Sequence, residues 1–282
     1  MNATIMSLAT RVGSIRNQFG ALIEPNLDEI ALGVSVAHDA LSQLPPGEKT
    51  VDRVIFASSG IRAIFPSGAI AIATELGLRC VAFDVTAACA SMCIAVELAA
   101  AMNGRSLIVG ADSMSRTIDC NEPSHLPLQR FADGAAALVI GKDQCTGQRI
   151  MGHCGVTDGR WRTYYQAAGG KIRRSLPVDL KADLRACYIE SWVEIAQRLM
   201  QQRECDGRVR IYPNQGDRAL FPDLVLALGL SEDQLVTTDH GHAGGADPWI
   251  GLNSHPLSRG DSAILLSSGI GFEFHGILIE YV

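Results

Sequence analysis

The sequence predicts an α/β fold in which two duplicated halves stack as a five-layered α-β-α-β-α sandwich. The first observation behind this is an internal repeat. Gly60-Ile-Arg-Ala-Ile-Phe-Pro66 recurs as Gly216-Asp-Arg-Ala-Leu-Phe-Pro222, 156 residues further on, with five of seven positions identical and a sixth similar. In each copy a short β-rich run precedes the motif and an apolar run ending Leu-Gly-Leu follows it, so a whole half-domain is repeated and not a short solenoid unit. The second observation is the regular alternation of strand-like and helix-like segments, which implies parallel sheets covered by helices. The third is size: 282 residues suffice for one large domain or two fused ones, with a core that needs no covalent staples.

The elements follow in order. Val54–Ala57 and Val209–Tyr212 are rich in β-formers and read as strands. Pro66–Leu78 and Pro222–Leu230 open on proline and close near Leu-Gly-Leu, as helices do. Cys80–Val85 and Gln234–Asp239 are expected to be the next strands. Ser91–Asn103 is apolar nearly all round, which implies a buried helix. Ser106–Gly110, Phe131–Gly141, Ser262–Ser267 and Gly276–Val282 complete the strands. Val156–Gly207 is an insert holding a loop over 158–174 and a helix near Ala182–Gln202, placed to cover a site, with Trp161, Tyr164 and Tyr165 available for its wall. The expected division is residues 1–150 and 151–282, packed as one compact unit.

Composition narrows the function. Hydrophobic residues make up 47%, which excludes a disordered chain. Charged residues make up only 19%, against the ~25% usual in soluble domains, which suggests a surface buried against another subunit. The net charge of −6 and the lack of any basic stripe exclude a nucleic-acid footprint. The densest basic cluster, Lys171-Ile-Arg-Arg174, is a solvated loop or a phosphate contact to a carrier. No apolar run approaches the ~18 residues of a membrane span, and Met1–Val12 lacks a secretory pattern. The eight cysteines include no C-x-x-C pair, and no histidine pair has zinc-ligand spacing, so no metal is expected. The cysteines are then reduced thiols in a cytoplasmic protein.

One cysteine stands apart. Thr86-Ala-Ala-Cys-Ala-Ser91 lies between the strand Val81–Val85 and the buried helix, which puts Cys89 at a strand-to-helix turn. Unpaired N–H groups and the helix dipole favour a negative group there, hence the nucleophilic thiolate. The Cys89 N–H is also placed to serve an oxyanion. Ala87, Ala88 and Ala90 leave room for a substrate, and Cys93, one helical turn on, reads as core.

Ala82-Phe-Asp-Val-Thr-Ala-Ala-Cys-Ala-Ser91 resembles the nucleophile segment of the β-ketoacyl-acyl-carrier-protein synthase III enzymes of the thiolase superfamily. Ile64-Phe-Pro-Ser67, Val109-Gly-Ala-Asp112, Phe131-Ala-Asp-Gly-Ala-Ala136 and Ser268-Gly-Ile-Gly-Phe272 extend the resemblance from about Asp28 to Val282. It implies a thiolase-like fold with the duplicated five layers, a dimer, and a role for Phe65 in lining the acyl pocket of the partner subunit.

The two loops opposite the cysteine depart from that family. Where ketoacyl synthases of this type carry His-Gln-Ala-Asn, this chain reads Asn214-Gln-Gly-Asp217. Where they carry Gly-Asn-Thr-Ser, it reads Gly241-His-Ala-Gly244. The exchange of His and Asn is similar to thiolases, but the second thiolase cysteine falls here at Ser267. The repeat offset, corrected for a helix four residues shorter in the second copy, carries Cys89 to position 241, beside His242. His242 is therefore expected to hold the Cys89 proton and return it to the leaving thiol. Asn214 would orient a carbonyl or water. The turn at Ile270 would add a second backbone N–H to the oxyanion site. Asp247 could orient His242, although a solvated loop charge is the expected reading. His240 has a weaker claim, and His38, His125, His153, His255 and His275 receive no role.

These residues imply a ketosynthase III-like acyltransferase. An acyl-Cys89 thioester would form from acyl-CoA or acyl-carrier protein, with no permanently bound cofactor, and pass to a heteroatom or carbon acceptor in fatty-acid, polyketide or secondary-metabolite synthesis. The alternative is a degenerate subunit supporting an active, related partner in a heterodimer. The resemblance implies a tryptophan and an arginine that hold the adenine of CoA, whereas the stretch before Asp28 has no tryptophan and only Arg11 and Arg16, so the resemblance alone does not carry CoA binding and both donors stay open.

Overall fold

The computed structural model describes residues 3–59, 66–118, 130–142, 147–168, 171–174 and 180–282. The first half contains β1 (Ala3–Val12), α1 (Glu29–Ser42), β4 (Arg53–Ser58), α2 (Gly68–Glu75), β5 (Val81–Thr86), α3 (Ser91–Ala101), β6 (Ser106–Ser113) and β7 (Asp133–Gly141), with a small hairpin of β2 (Ile15–Arg16) and β3 (Leu22–Ile23) after β1. The second half contains β8 (Gln148–Thr157), a hairpin of β9 (Tyr165–Ala168) and β10 (Lys171–Arg174), α4 (Lys181–Met200), β11 (Val209–Pro213), α5 (Phe221–Leu228), α6 (Asp247–Ser254), β12 (Ser262–Gly269) and β13 (Glu273–Tyr281).

Both halves share one strand order. The first runs β5-β4-β6-β7-β1 and the second β11-β12-β13-β8, and a short antiparallel pairing of β1 with β8 joins them. Leu235 bridges Ile211 at the edge where the second half would have its equivalent of β5. The expected strand Gln234–Asp239 is thus reduced to one bridge, because a tight turn at Glu232–Gln234 and the glycine-rich loop beyond leave no extended run. The sheets are mixed, which corrects the expected parallel arrangement. β4 pairs with β5 and β6 in parallel, and β11 with β12, but β6–β7, β7–β1, β12–β13 and β13–β8 are antiparallel.

Side-chain alternation builds the five layers. On β4, Val54 and Phe56 join the outer cluster beneath α1 and α2, while Ile55 and Ala57 face the middle. On β12, Ile264 and Leu266 face the outer cluster beneath α4 and α5, while Ala263 and Leu265 face the middle. α3 and α6 fill that middle layer and touch strands of both halves. α3 must therefore be apolar nearly all round, as its sequence shows, Glu97 being its one charged residue.

The helix ends follow local chemistry. Asp28 caps α1 by accepting from Ala31 N at 2.8 Å. Ser67 caps α2, and Asp84 of β5 accepts from Gly68 N and Ala69 N, both at 2.8 Å, where the helix dipole favours a carboxylate. Gly229 ends α5 with φ +63°, a left-handed position suited to glycine. β1 and α1 went unread in the sequence. The expected division at 150/151 falls inside β8; we place the start of the second half at Gln148, where the repeated strand order begins again. Residues 60–65 of the first motif copy, Phe65 included, lie outside the described residues.

Ile277 on β13 is fully buried in the middle layer. Ile277→Ala should lower the unfolding free energy by about 2–5 kcal/mol, read as a drop in the urea midpoint at unchanged slope.

Candidate active site

Cys89 lies in the turn between β5 and α3, two residues before the helix begins. Ala88 takes a left-handed φ of +48°, which bends the chain sharply and costs a non-glycine residue energy. The Ser91 hydroxyl holds the bend: it accepts from Ala87 N at 2.7 Å and reaches Ser58 O at 2.7 Å and Ala88 O at 2.6 Å. Cys89 is buried but borders a cavity of about 500 Å³ together with Asn214, His242, Ser268 and Ile270. On its other side it borders a second cavity of about 440 Å³, lined by Thr86, Ala88, Met114, Ile172 and Ile270 among others.

Cys89 Sγ stands 3.4 Å from His242 Nε2. The opposite ring nitrogen, His242 Nδ1, donates to Asp247 Oδ2. Asp247 has no exposed surface, and its other oxygen accepts from His240 Nε2 at 2.9 Å and Ala243 N at 2.7 Å. Gln215 N donates to Oδ2 at 2.7 Å. Asp247 is therefore a buried anchor and not a solvated loop charge. The single sequence gave Asp247 only the weaker reading, since an acid in a glycine-rich loop looks exposed until its four donors are in place.

Electrostatics follow from this contact. Burial disfavours a charged His242, but the adjacent Asp247 carboxylate and then Cys89 outweigh it and hold the imidazole well above its ordinary value. Burial opposes the Asp247 charge too, and His242 and His240 overcome it, holding the carboxyl well below the usual range. A second buried acid, Asp112, accepts from Ser59 N at 2.8 Å and is pushed up to about 6, chiefly by burial. It lies beneath Gly244, where a Cβ would come within 2.2 Å of Oδ2, and the φ of +64° there also demands glycine.

The His242 loop is fixed from both flanks. Ala132 N donates to His242 O and His242 N to Arg130 O, both at 2.8 Å, and the Phe131 ring meets the imidazole edge-on at 5.1 Å. Leu22 N donates to His240 O at 2.8 Å, and Arg16 reaches Asp239 O at 3.0 Å, so Arg16 braces this loop. Asn214 borders the cavity, but its side chain also ties loops together: Nδ2 donates to Gly244 O at 2.9 Å and Oδ1 accepts from Ser268 N at 2.6 Å. One Nδ2 hydrogen remains for a ligand. Ser267 is fully buried and meets Cys93 at 3.1 Å, and burial pushes the Cys93 thiol up to about 12. Neither is a second acid–base group.

The insert covers the site as expected. Tyr164 and Tyr165 line the larger cavity with Tyr188 and Trp192 of α4, whereas Trp161 turns aside against Phe272. The Tyr188 phenol is pushed up by burial first and by the neighbouring Cys89 next. Lys181 and Arg185 supply the basic groups of this cavity. Sequence reading missed Phe131, Tyr188 and Asp112 as neighbours of the site, because their approach depends on tertiary pairing. Ile172 of the basic cluster is buried beside Cys89; the three basic side chains around it lie outside the description. Among the described residues six cysteines are free thiols, and no helix is long and apolar enough to cross a membrane.

Comparison with known proteins agrees with this architecture. Residues 83–159 match the family described as 3-oxoacyl-[acyl-carrier-protein] synthase III. The chain is 28% identical over 270 residues to the β-ketoacyl-[acyl-carrier-protein] synthase III of Neisseria meningitidis serogroup B, covering 89% of this chain and 83% of that protein. The crystal structure of 3-oxoacyl-[acyl-carrier-protein] synthase III from Aquifex aeolicus superposes with a TM-score of 0.87 at 19% identity, covering 99% of this chain and all of that one. A Xanthomonas campestris OleA variant with bound lauric acid and lauroyl-CoA superposes with a TM-score of 0.83 at 18% identity, covering 100% and 99%. The expected resemblance to this family of acyltransferases and the thiolase-like fold are both borne out.

Asp247→Asn removes the charge that keeps the imidazole protonated. Followed by NMR, His242 should hold its proton above pH 6.5 in the parent chain, and the variant should lose it at a lower pH.

Proposed function

We propose that the chain is a cysteine acyltransferase that takes an acyl group from an acyl-CoA or acyl-carrier-protein thioester onto Cys89 and passes it to an oxygen, nitrogen or sulfur acceptor. The observation that carries this reading is the line Cys89–His242–Asp247, in which a buried carboxylate aims one imidazole nitrogen at a thiol 3.4 Å away. The thiolate attacks the donor carbonyl, and its S–C bond forms as the donor S–C bond breaks. His242 delivers the proton to the leaving thiol. An acceptor X–H then attacks the acyl carbon, gives its proton to His242, and releases Cys89 as thiolate. The N–H groups of Cys89 and Ile270 would hold the oxyanion in both steps.

Two features favour a heteroatom acceptor over carbon–carbon condensation. Decarboxylative condensation needs paired donors that stabilise the enolate, and here Asn214 has one N–H committed to Gly244 O while the imidazole is committed to Cys89. No second acid–base thiol stands at Ser267, so protons have no route on and off carbon. A triad of this kind instead deprotonates an incoming hydroxyl, amine or thiol. The smaller cavity, with Met114, Ile172 and Ile270, suits the acyl group, and the larger one suits the donor arm and then the acceptor. Lys181, which lines the larger cavity, would meet a carrier phosphate. The line from Cys89 to Asp247 supports a catalytic chain over a degenerate supporting subunit.

Dimerisation fits the edge of the first sheet. Among the described residues β5 pairs only with β4, and Val81 is 63% exposed upon it. Such an edge invites pairing with a second copy or a related subunit.

Incubation with short acyl-CoA or acyl-carrier protein should add one acyl mass to the intact chain. The increment should vanish in Cys89→Ala, and His242→Ala should acylate roughly 10²–10⁴-fold more slowly. Discharge by hydroxyl or amine acceptors, with no decarboxylated product from malonyl donors, would support the heteroatom reading; condensation product would refute it. Light scattering should give twice the chain mass, and Val81→Lys should shift it towards the monomer.

A further inference from the structure

Glu97, His153 and His275 meet away from the active site, although they are 56 and 122 residues apart in sequence. Glu97 lies on α3, His153 on β8 and His275 on β13. β8 and β13 pair antiparallel with His153 opposite Ile277, so His275, two residues earlier, is its diagonal neighbour on the same face. That face carries Ile277 and Ile279 into the middle layer occupied by α3. The two imidazoles lie parallel, 6.4 Å between centroids.

The three side chains converge on a small volume. His153 Nδ1 is 3.1 Å from Glu97 Oε1 and His275 Nε2 is 2.9 Å from Glu97 Oε2. All the candidate ligand atoms lie within 4.8 Å of one another. Tetrahedral zinc with bonds of about 2.0–2.1 Å holds its ligand atoms roughly 3.3 Å apart, so a pair at the 4.8 Å limit must close by about 1.5 Å. His275 is 5% exposed, and its Nε2 makes no hydrogen bond despite the short approach to Glu97. A buried imidazole nitrogen without a hydrogen-bond partner, beside a carboxylate and a second imidazole, leaves its polar valence open to an ion. The Glu97 and His153 side chains are 31% and 27% exposed, which opens a path for an ion.

We propose that Glu97, His153 and His275 form a Zn²⁺ site that fastens α3 to β8 and β13, with water completing the fourth position. Two imidazoles and a carboxylate suit zinc better than calcium or magnesium, which prefer all-oxygen sites. Glu97 is eight residues along α3 from Cys89, about 12 Å of helical rise, so this ion does not touch the nucleophile. Its effect is structural: it holds the helix whose first turn follows the catalytic bend.

The test uses the full chain, freed of metal with EDTA and titrated with Zn²⁺ by calorimetry and with Co²⁺ by visible absorption. One ion per chain is expected, with a cobalt spectrum free of thiolate charge-transfer bands and a higher melting temperature that EDTA reverses. Binding should be unchanged in Cys89→Ala, and at least about 100-fold weaker in Glu97→Gln and in His153→Gln, both half-buried polar positions where the fold is expected to survive. Circular dichroism checks the fold of each. The absence of saturable binding, affinity unchanged in both ligand variants, or loss of binding in Cys89→Ala would overturn the site.

Discussion

Asp247 carries a charge with no exposed surface, and four hydrogen-bond donors converge on it from two loops. A buried carboxylate is costly unless every lone pair is matched, and removing one partner leaves that cost uncovered. The loops at 214–217 and 240–244 are therefore held in one register, since any other would strip donors from the charge. The carboxylate also stands in the first turn of α6, where the helix dipole favours it. The orientation of His242 is a consequence: with Nδ1 bound to Asp247, Nε2 can only face Cys89. The Cys89–His242 geometry is in this sense a by-product of satisfying one buried charge.

Much of the architecture was legible because the duplication supplies its own symmetry. The repeat offset pointed to position 241, and the structure sets the adjacent His242 at 3.4 Å from Cys89. Strands with strict two-sided burial, such as β4 and β12, read correctly because a short continuous apolar run is what two buried faces require. Gln234–Asp239 failed for a complementary reason: its β-formers occupy an edge where a single bridge suffices and the chain must turn into the glycine loop. β1 failed because it begins a half and has no motif beside it. Asp247 was misjudged, and Glu97, His153 and His275 were passed over, because their neighbours come from distant segments. Composition gives no sign of burial for an isolated acid or histidine.

The bend at Cys89 concentrates strain at one residue, Ala88, whose left-handed conformation no glycine relieves. What resists its relaxation is the Ser91 hydroxyl, bonded to the backbone before the bend and reaching across to β4. Ser91 is also the first residue of α3, so the bend can relax only if the helix moves. α3 lies in the middle layer, gripped by strands of both halves, and Glu97 reaches across to the second half two turns further on. The Cys89 thiol is thus kept in a strained turn by a helix that neither half alone can position. This gives the five-layered arrangement a chemical purpose: the half that carries the thiol and the half that carries the imidazole are held at the same helix, and the distance between sulfur and nitrogen is set by the packing of the middle layer and not by either loop alone.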